Sequence, residues 1–284
     1  MSLYKYYPPE RFDIISNQRI RFSQPVIFND PFEAKPYFSA FAENDLVMKA
    51  YRRNFYRGLP QMYKNLSEDI RQKLTLEQYI HYAESLESQT DKVFLSQHKI
   101  LTIRAGEVLH EQFGEGIGVL SLSEVKDNLL MWSHYSQGHE GFVLEFDEAH
   151  SFFGGRKAIK DEIWGLHKIT YSEERPQTVI ADLDMEAILM TKGKPWEYEH
   201  EWRAFRPLNQ AAQKLEAQPY PIYLFELPTE CIRSVIFGAR MTNQTREKFF
   251  NLMDGHPAYA HLELFQTVID KKKYVLHFVP IIKE

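Results

Sequence analysis

The chain has 284 residues, of which 44% are hydrophobic, and this length permits one large domain or two small ones. Its formal charge of −5 gives no general field for a polyanion, so a nucleic-acid partner would need a local basic patch, which the sequence does not display. A single cysteine excludes an internal disulfide, and the chain has neither the apolar block of a signal peptide nor the roughly 20 apolar residues of a membrane span, so we predict a cytoplasmic protein with no membrane partner.

The first forty residues are predicted to form short elements. "LYKYY" favours an aromatic strand, "PERFDIISN" a short helix with proline in its first turn, and "RIRFS" an alternating half-buried strand. "FNDPFE" is typical of a turn, with Asp30 and Glu33 on either side of the proline. Local turn capping is the simplest interpretation of these two carboxylates.

Residues 42–113 differ in character, because glycine is scarce there and charges are frequent. "TLEQYIHYAESL" places apolar residues on one helical face, and Thr75 with Gln78 predicts a capping box. We therefore predict a single α+β domain over residues 1–284, with a helical insertion or cap at 42–113.

Short strands dominate the remainder. "GIGVLSLS", "GFVLEFD" and "EWRAFR" favour strands, and "EVKDNLLMWSHYSQG" favours a helix that ends at Gly138. Four further strands are predicted at "YPIYLFELP", "IRSVIFG", "LELFQTV" and "YVLHFVP", with a helix capped by Thr242. The chain contains neither GxGxxG nor GxxxxGK[ST], so phosphate loops of those types are not indicated.

A serine strand and the helix after it form the first candidate site. Ser121 and Ser123 lie two apart, so both hydroxyls should point to the same face of a strand. His134 and Tyr135 follow on the helix, and one of them is expected to face a cleft. The alternative is a packed helix whose aromatic residues only anchor the core.

The segment "WEYEHEWRAFR" forms the second candidate site. Glu197, Glu199 and Glu201 alternate, so an extended strand would carry all three on one face. Such a ladder is unfavourable unless it meets cations, water or a ligand. The alternative is a solvated strand edge with Arg203 as a salt-bridge partner.

The histidines do not predict a metal site. His134 and His139 lie five positions apart, with Gly138 between them, which is not the i, i+4 spacing of a helical zinc pair. We therefore predict no metal ligands.

Several segments together resemble a bacterial family, domain of unknown function DUF2971. They are "LYKY", "FSQPVIFNDPFE", "LSLSE", "NLLMWSHYSQGHEGFVLEFD", "ITYSEERP" and "KPWEYEHEWR". The block "LMWSHY…H.GF…FD" is the most specific of them. The family name itself implies no activity.

A more distant resemblance is to the ADP-ribosyltransferase fold, a split mixed or antiparallel sheet. "LYKYY" is similar to its first strand, "LSLS" to its serine strand, and "EHEWRAFR" to its glutamate strand. Lys5 or Tyr4 stands where arginine or histidine is usual, and Ser-Leu-Ser stands in place of Ser-Thr-Ser. The form Glu-x-Glu at positions 199 and 201 resembles the arginine-modifying branch.

This resemblance implies that nicotinamide adenine dinucleotide (NAD) binds across the split as a substrate, without a metal. Glu201 would stabilise the charge that forms as nicotinamide leaves, Glu199 would orient or deprotonate the acceptor, and His134 is a third catalytic candidate. The implied cofactor-binding residues are Tyr4, Lys5, Arg21, Ser121, Ser123 and Tyr135.

Three functions follow as alternatives. The first is ADP-ribosyl transfer or NAD hydrolysis in a bacterial toxin or phage-defence setting, with a protein or nucleic acid as acceptor. The second is a module that binds a small ligand or a protein without catalysis. The third is a metal-dependent nuclease that uses Asp30, Glu33, Glu199, Glu201 and a histidine.

Overall fold

The structure is a computed structural model that describes residues 1–35, 37–40, 44–154, 163–180, 184–254 and 256–282. It divides into two compact units. The first comprises Met1–Ala34, Gln112–Arg175 and Glu186–Glu284, and the second comprises Lys35–Glu111 and Pro176–Met185. The predicted insertion at 42–113 stays a prediction, and its residues 42 and 43 lie outside the described residues.

The first unit is built on a large mixed sheet, in which the described residues form eight strands. In spatial order these are β15 (Leu276–Pro280), β14 (Glu263–Ile269), β13 (Ile232–Phe237), β5 (Phe142–Asp147), β1 (Ser2–Tyr7), β4 (Ile117–Ser123), β10 (Glu201–Pro207) and β6 (Gly165–Lys168). Neighbours are antiparallel except β13 and β14, which are parallel. The predicted α+β class is confirmed.

Smaller elements complete the first unit. A second sheet has the order β11 (Gln213–Leu215), β12 (Ile222–Glu226), β2 (Arg19–Phe22), and β7 (Thr170–Ser172) pairs in parallel with β9 (Thr191–Gly193). The α-helices are α1 (Asp13–Asn17), α6 (Leu129–Tyr135) and α8 (Asn243–Met253), and α7 (Met185–Met190) begins at the boundary between the units. The 3-10 segments are Pro9–Phe12, Pro25–Ile27, Lys194–Glu199, Leu208–Gln210, Thr229–Cys231 and Pro257–Tyr259.

The second unit is mainly helical. Its helices are α2 (Asn44–Lys64), α3 (Glu68–Arg71), α4 (Leu76–Ser85) and α5 (Glu87–Gly116), the last of which continues into the first unit. A parallel pair joins β3 (Tyr37–Ala40) to β8 (Gln177–Val179). The predicted capping box is confirmed, because Thr75 accepts the Gln78 backbone N–H while the Gln78 side chain accepts that of Thr75.

Apolar side chains cover both faces of the large sheet. Val143 and Leu144, which are adjacent on β5, belong to different buried clusters because successive strand residues point to opposite faces. One cluster includes Phe249 of α8, and the other includes Trp132 of α6. The two helices therefore pack on opposite faces of the sheet.

Helix α6 is shorter than the predicted helix that was to end at Gly138. It begins after Asn128, whose side chain accepts the backbone N–H groups of Leu130 and Met131. It ends at Tyr135, and residues Gln137, Gly138 and His139 all have positive φ. The left-handed turn stops the helix one turn before the glycine.

The chain after this turn approaches β1 closely at Gly141. A Cβ at this position would lie 1.9 Å from the Tyr7 carbonyl oxygen, a backbone atom that cannot move without shifting β1. We expect Gly141→Ala to lower the free energy of unfolding by about 3 kcal/mol, as overpacking against a rigid neighbour does. Urea denaturation measures this. Gly116→Ala is the control, because its new methyl group meets no described atom within 4 Å beyond its chain neighbours and its own helix backbone. Equal stabilities for the two variants would contradict the close approach.

Candidate functional site

The two halves of the large sheet separate between β1 and β4. Within the described residues these strands share one paired position, Tyr4 with Ser123, whereas β1 pairs with β5 at six positions and β4 with β10 at seven. Beyond that pair, the Lys5 ammonium donates to the Ser121 carbonyl at 2.7 Å, so a side chain bridges the gap where backbone pairing stops.

A pocket of about 130 Å³ lies at this split. Its lining residues are Tyr4, Lys5, Tyr6, Phe28, Asn29, Glu33, Ser121, Leu122, Met131, Tyr135, Lys192, Glu199 and Glu201. They come from β1, β4, α6, β9 and β10, from the segment between β2 and β3, and from the 3-10 segment that precedes β10. Ser121 and Glu201, although distant in sequence, therefore line the same pocket.

A buried lysine connects the carboxylates of this pocket. Lys192 Nζ lies 2.6 Å from Glu199 Oε2, 3.0 Å from Glu201 Oε2 and 3.6 Å from Glu33 Oε2. Each of these side chains is at most 5% exposed. Ion pairs at this depth are weakly screened, so removing Lys192 would leave these buried carboxylates without one of their cations.

Arg203 forms the second cationic centre. Its Nε lies 2.9 Å from Glu201 Oε1, one terminal nitrogen donates to the Leu189 carbonyl at 2.6 Å, and the other contacts Glu33. Arg203 is fully buried, and its side chain points to the same face as Ser121, its partner in the β4–β10 register. Two cations thus hold Glu33, Glu199 and Glu201.

The cations govern ionisation of the carboxylates. Burial raises the pKa of Glu201, but Arg203 and Lys192 outweigh it and lower this pKa to about 2. Burial also lowers the pKa of Lys192, yet Glu201, Glu33 and Glu199 raise it on balance. For Glu33 burial dominates and raises the pKa. Glu201 is therefore a fixed anion at neutral pH.

Two tyrosines position the paired glutamates. The Tyr135 hydroxyl donates to Glu199 Oε1 at 2.6 Å, and the Tyr171 hydroxyl accepts the Glu201 backbone N–H at 2.7 Å. Burial, followed by the Glu199 charge, raises the pKa of Tyr135, so the phenol keeps its proton. Burial raises the pKa of Tyr171 to about 12.

The expectation that Glu197, Glu199 and Glu201 form a ladder on an extended strand is wrong. Lys194–Glu199 is a 3-10 segment, His200 has φ 43°, and β10 begins only at Glu201. Glu197 is exposed and pairs with Lys194, whereas Glu199 turns inward. The 3-10 turn thus separates one solvent-facing carboxylate from the two that line the pocket.

Six of the nine predicted site residues line the pocket: Tyr4, Lys5, Ser121, Tyr135, Glu199 and Glu201. The structure brings these side chains together, and their chemical roles stay predictions.

The other three predicted residues lie outside the pocket lining. Ser123 is buried and donates to the Glu199 carbonyl at 2.7 Å, so it supports the site from behind. Arg21 lies on β2 opposite Leu224, with a buried Nε that has no hydrogen-bond partner among the described residues. His134 is exposed on α6, with its ring 6.4 Å from that of Tyr135.

Sequence reasoning missed Lys192, the residue that connects the carboxylates. It follows α7 in "LMTKGKPWE", where no periodicity, cap or motif distinguishes it from a surface lysine. The turn pattern predicts local capping for Asp30 and Glu33. Asp30 does cap the turn by accepting the Phe32 backbone N–H at 2.9 Å, whereas Glu33 belongs to the ionic cluster. Arg203 was considered as a salt-bridge partner, and the structure places it in that role.

The described residues contain no group of three or more His, Cys, Asp or Glu side chains arranged to hold a metal ion. Within the same part of the chain, no helix is both long and apolar enough to cross a membrane.

The fold and the site define an α+β protein with a split sheet and a pocket that contains buried paired charges. A family model described as "Protein of unknown function (DUF2971)" matches residues 131–204. This match confirms the resemblance to the DUF2971 family, over a segment that includes most of α6, Lys192, Glu199, Glu201 and Arg203. Comparison with curated proteins gives no match, and comparison with solved structures gives none either.

Proposed function

We propose that this pocket receives the nicotinamide end of NAD and that the protein cleaves the bond between nicotinamide and ribose. The products would be an ADP-ribosylated acceptor or, with water as acceptor, free ADP-ribose. The observation that carries the proposal is that Ser121, Glu199 and Glu201, from two separate segments, line one pocket at the split of the sheet. A toxin or phage-defence setting in the bacterial cytoplasm, with a protein or nucleic acid as acceptor, is part of the same proposal.

The charge state of Glu201 supports this chemistry. Departure of nicotinamide leaves positive charge on the ribose carbon, and a fixed anion aimed at that charge stabilises the transition state. Arg203 and Lys192 keep Glu201 ionised and hold its two oxygens, so little reorganisation is needed during the reaction. The same contacts fix its orientation towards the pocket.

Glu199 is suited to the acceptor side. One oxygen accepts the Tyr135 hydroxyl and the other contacts Lys192, so the carboxylate is oriented by two donors. A carboxylate held in this way can take a proton from an attacking hydroxyl, guanidinium or water. The pocket volume of about 130 Å³ suits only the reacting end of a dinucleotide, and the adenosine portion would lie outside it.

A second candidate is a ligand-binding module without catalysis. The observation in its favour is that Lys192 and Arg203 are both paired with glutamates of the cluster. Such pairing is typical of charges that stabilise a fold rather than take part in a reaction. The nuclease alternative has less support, because Lys192 and Arg203 already hold the carboxylate oxygens that a divalent cation would need.

The direct test measures free nicotinamide by chromatography after incubation of the purified full chain with NAD, with binding followed by calorimetry. Release, or labelling of an added protein or nucleic acid, supports the enzyme. Binding without release favours the ligand-binding module. The proposal is overturned if the folded protein neither releases nicotinamide nor binds NAD.

Tyr135→Phe removes the hydroxyl that orients Glu199. We expect about a tenfold lower rate of nicotinamide release, as loss of one hydrogen bond to a charged group predicts. Tyr82→Phe is the control, since Tyr82 is 59% exposed and lies in the second unit. An unchanged rate for Tyr135→Phe would remove Tyr135 from the proposed mechanism.

A further inference from the structure

Lys5 differs from the other cations near the pocket. Lys192 and Arg203 are each paired with glutamates, whereas Lys5 forms no ion pair within the described part of the chain. Its ammonium donates to the Ser121 carbonyl at 2.7 Å and lies 5.8 Å from the centre of the Tyr7 ring. An ammonium has three donors, so this contact leaves the nitrogen able to meet a ligand in the pocket.

The surroundings of Lys5 favour its neutral form. Burial lowers its pKa, Arg11 lowers it further, and Glu201 and Glu199 oppose the shift, with a result of about 8. At pH 7 about one molecule in ten then carries a free amine there, compared with about one in 3,000 for an ordinary lysine. The free amine is the nucleophilic form of lysine.

We propose that Lys5 Nζ forms an imine with the carbonyl carbon of a small hydroxylated aldehyde bound in this pocket. This goes beyond the proposed glycosidic cleavage, although it uses the same pocket. It assigns to Lys5 a covalent role in place of the cofactor-binding role that the resemblance implies.

The step balances without any oxidant or reductant. The lone pair of the neutral amine forms the C–N bond, and the carbonyl π electrons move to oxygen, which takes up a proton. The nitrogen loses one proton to give the carbinolamine. The carbinolamine hydroxyl then leaves together with the second nitrogen proton as water, while the nitrogen lone pair forms the C=N bond. The sum is amine plus aldehyde giving imine plus water.

The pocket lining selects the ligand class. Glu199 and the Ser121 hydroxyl are acceptors for ligand hydroxyl groups, while Phe28, Leu122 and Met131 exclude water around the carbonyl carbon. A volume of about 130 Å³ suits an aldehyde of a few carbon atoms. A purely apolar aldehyde would offer no hydroxyl group to these acceptors.

The test is reductive trapping with glycolaldehyde in the absence of NAD. The full chain is treated briefly at pH 7 with glycolaldehyde and cyanoborohydride, and adducts are located by peptide mass spectrometry. We expect Lys5 to be labelled at least about tenfold faster than exposed Lys248, because burial enlarges the neutral fraction of Lys5 and the pocket holds the aldehyde beside its nitrogen. Propanal, which lacks the hydroxyl, should label Lys5 more slowly than glycolaldehyde does.

Variants separate the amine from the charge. Lys5→Arg keeps a cation that can donate to the Ser121 carbonyl but cannot form an imine, so the fast adduct should disappear while Lys248 labelling persists. Lys248→Arg should keep the fast adduct. Circular dichroism verifies that both variants fold.

Two outcomes overturn the inference: labelling of Lys5 no faster than that of Lys248, or a fast adduct that persists at another site in Lys5→Arg. Since no dinucleotide is present, failure here is distinguishable from failure of the proposed NAD chemistry.

Discussion

Lys192→Met is expected to lower the free energy of unfolding by about 3–5 kcal/mol, because it breaks a buried ion cluster on one side. Among the described residues, the Glu199 carboxylate would keep only the Tyr135 hydroxyl as a donor, and Glu201 would lose its 3.0 Å contact with Lys192. Methionine is close to lysine in length, so the packing loss is small and the charge effect dominates. Urea denaturation at pH 7 measures the change.

The same segment offers a matched control. Lys194 is two residues away and exposed, and it pairs with Glu197 at 2.8 Å. Because exposed pairs contribute little, Lys194→Met should change stability by less than about 1 kcal/mol. Comparable losses in the two variants would contradict the difference in burial.

A double variant isolates the charge. In Lys192→Met with Glu199→Gln, a neutral amide replaces the carboxylate that has lost its cation, so part of the stability should return relative to Lys192→Met alone.

The dependence of the free energy of unfolding on pH has a defined sign. Because the pKa of Glu201 is lowered from 4.5 to about 2 in the folded protein, its stabilising contribution is complete above pH 4.5 and is lost as the pH falls towards 2.

Glu201→Gln is expected to lower the rate of nicotinamide release at least about a hundredfold, because the amide keeps the shape of the carboxylate but loses the charge that stabilises the transition state. NAD affinity should change much less than the rate, since the charge at the ribose carbon develops only during the reaction. Initial rates at saturating NAD, together with calorimetric binding, measure the two effects separately.

Glu197→Gln is the control for this substitution. Glu197 lies in the 3-10 segment that leads to β10, is exposed, and contacts Lys194 rather than the pocket. The Glu197→Gln variant should release nicotinamide at the same rate as the unchanged protein. A Glu201→Gln variant that folds, binds NAD and releases nicotinamide at the full rate would remove the carboxylate charge from the mechanism.

Local signals in the sequence identified most elements near the site. Alternating residues placed the serine strand and the strand from Glu201, and the Thr75 and Thr242 caps are present as predicted. These signals work because strand alternation and capping depend on residues within a few positions of one another.

The predicted glutamate ladder was wrong because the local sequence pattern is compatible with two backbone conformations. "WEYEHEWR" alternates as a strand would, but Pro195 favours the first turn of a helix and His200 adopts a left-handed conformation. The chain therefore turns before β10 begins. Glu199 reaches the pocket from the end of the 3-10 segment, and Glu201 reaches it from the first position of the strand.

The sequence by itself determined the α+β class, the serine and glutamate segments, and the block that the DUF2971 family model matches. Tertiary structure alone decided that Lys192 connects the glutamates, that Arg203 meets Glu33 across 170 positions of chain, and that Lys5 is left without an ion pair among the described residues. The physical reason is the difference in sequence separation between the residues that take part in each kind of interaction. Periodicity and capping act over single turns, whereas the partner of a buried charge is set by whichever distant segments the folded sheet brings within about 4 Å.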